Sequence, residues 1–167
     1  MYNGYRVIDL IDENLVKKIS TVLKHKKQKI SIAESATGGL ISHILTNISG
    51  SSEYFDRGLI TYSNRAKMEL LGVNKITLEK YGAVSKDVAK QMAEGVRKKS
   101  DVDIGISTTG IAGPTGGSKG KPVGTIFIGL STKKETIVKK YSFDSDRLEN
   151  KEKFCNAALK MLYEHIR

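Results

Sequence analysis

Serine, tyrosine and lysine are the side chains of this sequence whose positions suit covalent chemistry. Ser35 lies in the run Glu34-Ser35-Ala36-Thr37-Gly38-Gly39, and Ser51 and Ser52 lie in the loop Ile48-Ser49-Gly50-Ser51-Ser52. Tyr62 ends the run Gly58-Leu59-Ile60-Thr61-Tyr62, and Lys67 follows within a short helical segment. A lysine amine becomes a general base toward serine when burial or nearby positive charge lowers its pKa. A tyrosine between them can relay the proton. Such a set suits acyl transfer at a carbonyl. Spacing does not choose among the serines, and a solvated surface lysine is the competing reading of Lys67.

Other chemistries find less support. Cys155 falls on the apolar stripe of the last helix, as free cysteines in cores do. His25, His43 and His165 are far apart in sequence, so no metal-ligand spacing appears and no metal is expected. His43 shares the polar side of its helix with Thr46 and Asn47, and no serine–histidine–carboxylate set has supporting spacing. A single cysteine and the absence of a charged-then-apolar leader or a long apolar run point to a cytoplasmic protein with no membrane span. The formal net charge of +10 invites an anionic partner, either nucleic acid or a phosphorylated small molecule. The densest basic cluster, Lys24 to Lys29, lacks the interleaved aromatics that stack on bases, which argues against nucleic acid.

The elements that would position these residues alternate. A helical stripe runs through Ile11, Leu15, Val16, Ile19, Val22 and Leu23, and a short strand covers Ile30 to Ala33. Leu40, Ile41, Ile44, Leu45 and Ile48 form the next helix. Glu34 to Gly39 is therefore a strand-to-helix turn, a common place for ligand groups, and Glu34, Thr37, Gly38 and Gly39 are candidate binding residues. Tyr54 to Tyr62 contains the next strand, near Gly58 to Tyr62, and leads to a short helix capped by Ser63 and closed by Gly72. Residues 73–84 read as a connection with one possible helical turn. Ser85 caps a helix carrying Val88, Ala89, Met92, Ala93 and Val96. Val102 to Thr109 alternates as a strand with one small-residue face. Thr125–Leu130 and Thr136–Phe143 form a hairpin, and Asp144-Ser145-Asp146 caps the final helix. About five strands and five helices result, a single α/β domain whose mainly parallel sheet is covered on both faces.

Six of the 16 glycines and both prolines lie between Gly110 and Gly124. Ordering so much glycine is entropically costly unless backbone must approach a ligand closely, so Gly110 and Gly113 are further candidate contacts. The loop is not a P-loop: Ser118 stands where the second glycine belongs.

Taken in order, Ala33-Glu34-Ser35-Ala36-Thr37-Gly38-Gly39, Gly50-Ser51-Ser52, Gly58-Leu59-Ile60-Thr61-Tyr62-Ser63-Asn64, Ala66-Lys67, Gly82-Ala83-Val84-Ser85, Thr109-Gly110-Ile111-Ala112-Gly113-Pro114 and Lys121-Pro122-Val123-Gly124-Thr125 carry a resemblance. The chain resembles the CinA C-terminal domain family, the nicotinamide-nucleotide amidases, over about residues 10–166. The resemblance implies a three-layer α/β/α sandwich with a five-stranded mixed sheet. It implies hydrolysis of nicotinamide mononucleotide to nicotinate mononucleotide and ammonia, without metal or cofactor. Matched motif to motif, it puts the nucleophile on Ser52, the relay on Tyr62 and the base on Lys67. Ser35 and Thr109 fall on further active-site positions, and Arg147 on a substrate contact. Two positions depart from the family pattern: Ala36 replaces a usual cysteine, and Thr115 a frequent aspartate. The domain is expected over 1–167, with an arm over 1–9, as a stand-alone form lacking the N-terminal domain of many relatives. A homodimer is the expected assembly. Two competing functions are a nucleotide-binding domain of the same fold without turnover and a nucleic-acid-binding module.

Overall fold

The structure is a computed structural model and describes residues 10–167; the expected arm over 1–9 lies outside them. Helix α1 (Glu13–Lys26) starts where Asp12 accepts from the Leu15 N–H, and it buries Leu15, Val16, Ile19 and Leu23. Strand β1 (Ile30–Glu34) is buried throughout. Helix α2 (Leu40–Thr46), a 3₁₀ turn (Ser51–Glu53) and strand β2 (Phe55–Ile60) follow. Helix α3 (Asn64–Leu71) is capped by Ser63 and closed by Gly72 at φ 71. Helix α4 (Lys75–Tyr81) is a full element where one turn was expected, because Asn74 caps it through the Ile76 N–H and Leu78 anchors it. Helix α5 (Lys86–Ser100) is capped by Ser85. Strands β3 (Ile104–Gly110), β4 (Thr125–Ser131) and β5 (Thr136–Ser142) precede helix α6 (Arg147–Ile166), which Asp146 caps. No helix among the described residues is long and apolar enough to cross a membrane.

The five strands form one mixed sheet in the order β2-β1-β3-β4-β5. β1 pairs in parallel with β2 and β3, while β4 runs antiparallel to β3 and β5. Alternation along β1 divides the core. Ile30 and Ile32 join the larger apolar cluster with α1, α2 and α6, and Ala33 joins the smaller one with α3 and α5. The sheet is thus the middle of three layers.

The small-residue face expected on β3 receives α5. A Cβ on Gly105 would lie 2.3 Å from the Ala93 carbonyl, and one on Gly129 of β4 would lie 2.7 Å from the Ala89 carbonyl. Ser107, between them on the same face, donates to the Ala89 carbonyl at 2.6 Å. Backbone therefore packs almost directly on backbone, which fixes the height of α5 above the sheet and places the 82–85 loop at its C-terminal edge.

The chain leaves β1 for β2 on one side and returns to β3 on the other. The C-terminal ends of β1 and β3 therefore flank a switch point, where open α/β sheets leave a crevice.

Candidate active site

A cleft of about 330 Å³ opens at this switch point, lined by Ser35, Ala36, Tyr62, Lys67, Thr109, the 110–116 loop and Arg147. Ser35 is the first residue beyond β1, and its N–H donates to the Thr108 carbonyl at 3.0 Å, so it stays tied to β3. Its hydroxyl meets the Lys67 amine at 3.0 Å.

Lys67 is 1% exposed. Beyond the serine, its amine donates to the carbonyls of Thr61 at 2.7 Å and Tyr62 at 3.2 Å. Burial disfavours the ammonium form and lowers its pKa from 10.5 to about 8. Three acceptors match three ammonium protons. When one proton leaves, the two carbonyls hold the remaining N–H groups and the lone pair is aimed at the Ser35 hydroxyl. Sequence could not show this, because carbonyls carry no residue signature.

Glu34, expected among the binding residues, faces the other way and is 0% exposed. One carboxylate oxygen accepts from the Ser42 N–H at 2.9 Å and its hydroxyl at 2.6 Å. The other accepts from Thr37 Oγ1 at 2.6 Å, Gly39 N–H at 2.9 Å and Ile41 N–H at 3.2 Å. Glu34 therefore caps α2 from inside the sheet. Thr37 is also buried, sharing a hydroxyl contact of 2.9 Å with Thr108. Gly38 and Gly39 adopt φ 62 and 97, and their outer sides face Lys151 and Ile60 respectively. These four residues shape the turn and do not line the cleft. The Ala36 N–H, next after Ser35, has no acceptor among the described residues and lies at the cleft wall.

Ser52 is not brought to this site. It sits in the 3₁₀ turn before β2, where its carbonyl accepts from Lys29 Nζ at 2.8 Å. Tyr62 and Lys67 lie beyond the other end of β2, and six residues at about 3.3 Å each separate the two places by roughly 20 Å. The loop cannot fold back because β2 pairs with β1 along its length. Tyr62 lines the cleft, but it reaches Lys67 through its carbonyl, and its phenol meets Arg147 at 3.3 Å instead of relaying between serine and lysine.

Arg147, Thr109, Gly110 and Gly113 line the cleft as expected positions. Arg147 donates to the Gly113 carbonyl at 2.6 Å and so spans from the glycine loop to Tyr62. Thr109 donates to the Ala83 carbonyl at 2.8 Å and ties β3 to the 82–85 loop. Ala83, Val84, Ile111, Ala112, Thr115 and Gly116 complete the lining. They were visible only as parts of the Gly82–Ser85 run and of the glycine-rich loop from Gly110 to Gly124.

Fold and site together define an α/β domain with a buried serine–lysine pair at the switch point of its sheet. The family described as CinA C-terminal domain matches residues 12–166, and the chain belongs to it. It is 49% identical over 156 residues to a CinA-like protein of Syntrophus aciditrophicus, covering 93% of this chain and 37% of the relative. The chain spans about two fifths of the length of the curated relatives it matches. Among solved structures it is similar to competence/damage inducible protein CihA of Agrobacterium tumefaciens, with TM-score 0.88 and 38% identity over 97% of this chain and 98% of that one. A CinA superfamily protein of Enterobacter cloacae aligns with TM-score 0.90 and 30% identity over 100% of this chain and 99% of that one.

The turn that presents Ser35 depends on the Glu34 carboxylate. Glu34→Ala would leave three N–H groups and two hydroxyls without their acceptor, and unfolding in urea should show a loss of about 3 kcal/mol or more. A loss under about 1 kcal/mol would show that the turn holds by other means.

Proposed function

We propose that this cleft hydrolyses the carboxamide of nicotinamide mononucleotide, with Ser35 as nucleophile and Lys67 as base. The observation that carries the reading is the 3.0 Å contact between a cleft serine and a buried lysine of lowered pKa. The neutral amine takes the Ser35 proton while Ser35 Oγ bonds to the amide carbon. In this reading the developing oxyanion is received by the Ala36 N–H, on the residue after the nucleophile. The resulting ammonium then protonates the leaving nitrogen, and ammonia departs as the C–N bond breaks. Water attacks the ester with Lys67 again as base, Ser35 regains its proton and the carboxylic acid is released.

The nucleotide's phosphate suits Arg147, which is exposed at the mouth and keeps guanidinium donors beyond those used on Gly113 and Tyr62. The family membership and the overall charge of +10 favour the same class of anionic substrate.

Ammonia release should fall by about a thousandfold in Ser35→Ala and in Lys67→Met, with the double variant little worse than either. Ser52→Ala should stay within about tenfold of the parent. A dead Ser52→Ala beside an active Ser35→Ala would reverse the assignment.

Lys67 must be neutral to act as base, and its pKa is lowered to about 8. The kcat/KM profile should therefore rise with pH and level off above about 8. An acid limb still climbing toward 10.5, the ordinary lysine value, would remove Lys67 as the base.

Nicotinamide riboside, which lacks the phosphate, should be a much poorer substrate than the mononucleotide, and Arg147→Ala should narrow that difference. An unchanged preference in the variant would take Arg147 out of phosphate recognition.

A further inference from the structure

Beyond Ile111 the glycine loop leaves the sheet. Ile111 is still tied to the start of β4, through the Thr125 carbonyl at 2.8 Å and the Gly124 N–H at 2.7 Å. Main-chain bonding resumes only where Ser118 and Lys121 exchange hydrogen bonds. Among the described residues, the main chain of 112–117 is held by two side chains alone, both from α6. Asn150 donates to the Ala112 carbonyl at 3.0 Å, and Arg147 to the Gly113 carbonyl at 2.6 Å. The two donors are three residues apart and so share one helix face.

The two ties differ in kind. Arg147 is exposed, and its guanidinium ends a long, rotatable stem. Asn150 is buried completely. Its Nδ2 group uses both N–H donors, one on Ala112 and one on the Ser145 carbonyl at 2.8 Å. Ser145 lies just before Asp146, the cap of α6. One carboxamide therefore joins the loop to the entrance of the helix that carries Arg147. Its orientation is fixed, because a flipped amide would set oxygen against two carbonyls. The Oδ1 atom has no partner among the described residues, and burying it carries a desolvation cost. What the amide supplies is position: it fixes the Ala112 peptide one residue before the carbonyl that Arg147 grips.

We propose that Asn150 is a positioning residue for substrate recognition. By pinning Ala112 to α6 it sets the Gly113 carbonyl, and through it the direction in which Arg147 offers its remaining donors to the substrate's phosphate. Ser35 and Lys67 sit on other elements, the end of β1 and α3. Loss of the tether should therefore be felt in binding and not in the chemical step. The kinetic consequence rests on the amidase reading above; the tether does not.

A double-variant cycle with Asn150→Leu and Arg147→Ala tests it. Asn150→Leu should raise KM for nicotinamide mononucleotide by at least about tenfold, with kcat within about threefold of the parent. Nicotinamide riboside, which lacks the phosphate, should keep its kcat/KM within about threefold. Adding Asn150→Leu to Arg147→Ala should raise KM by less than about twofold more, because the asparagine acts through the arginine. A fall in kcat, an equal loss with both substrates, or KM effects that multiply would overturn the proposal. Asn150→Ser keeps one donor and should fall between the parent and Asn150→Leu, so the cycle is run on it if leucine prevents folding. Nitrogen-15 NMR of the Arg147 Nε–H, assigned by its loss in Arg147→Ala, reads the tether without turnover. In the Asn150 variants this signal should move to the position of unrestrained arginines, and an unchanged signal would overturn the tether. A parent that releases no ammonia, with the Arg147 signal still moving in the variants, counts against the amidase reading and supports the tether.

Discussion

The site depends on an amine placed where an ammonium ion is poorly solvated. Lys67 is held by two carbonyls and a hydroxyl, and no carboxylate among the described residues pairs with it. A carboxylate beside it would stabilise the charged form and keep the lone pair occupied. Neutral carbonyls satisfy its N–H groups and leave burial to lower its pKa. The rest of the architecture serves this placement. Ser63 caps α3 so that Lys67 points inward, and the Thr61–Tyr62 segment turns its carbonyls toward the amine.

The serine opposite is fixed by a second buried charge of the other sign. Glu34 sits one residue before Ser35, and its carboxylate takes five hydrogen bonds from the start of α2. Adjacent residues of a strand point to opposite faces. One residue thus anchors the turn on the α2 side while the next offers its hydroxyl on the α3 and α5 side. The acidic and basic groups are separated by the sheet itself. That separation keeps the carboxylate from stabilising the Lys67 ammonium, while the Ser35 N–H bond to Thr108 holds the serine between them.

Much of this was legible in the chain. Helix stripes, the caps at Ser63, Ser85 and Asp146, the glycine at 72 and the small-residue face of β3 are local patterns, and they located every strand and every α-helix except α4, while the 3₁₀ turn at Ser51–Glu53 read as loop. That helix is short, and Asn74 and Leu78 are too few to announce it beside ordinary loop residues. The candidate site was legible as a set of residue types but not as a geometry. Lys67 and Ser35 are 32 positions apart, and only the parallel pairing of β1 with β2 brings them together. The same pairing carries Ser52 to the far end, which spacing along the sequence cannot reveal. Glu34 was misread for a related reason. A carboxylate in a glycine turn has the composition of a ligand site, and only the direction of its strand residue shows that it faces inward.

The ionisation of Lys67 is the quantity on which the chemistry turns. Carbon-13 labelled lysine allows its Cε resonance to be followed by NMR as pH rises, with the assignment made by its loss in Lys67→Met. Midpoint titration at about 8 is the result that burial without a counter-charge predicts. Titration near the ordinary 10.5 would contradict it, because Lys67 would then be a solvated cation that cannot accept the Ser35 proton at neutral pH.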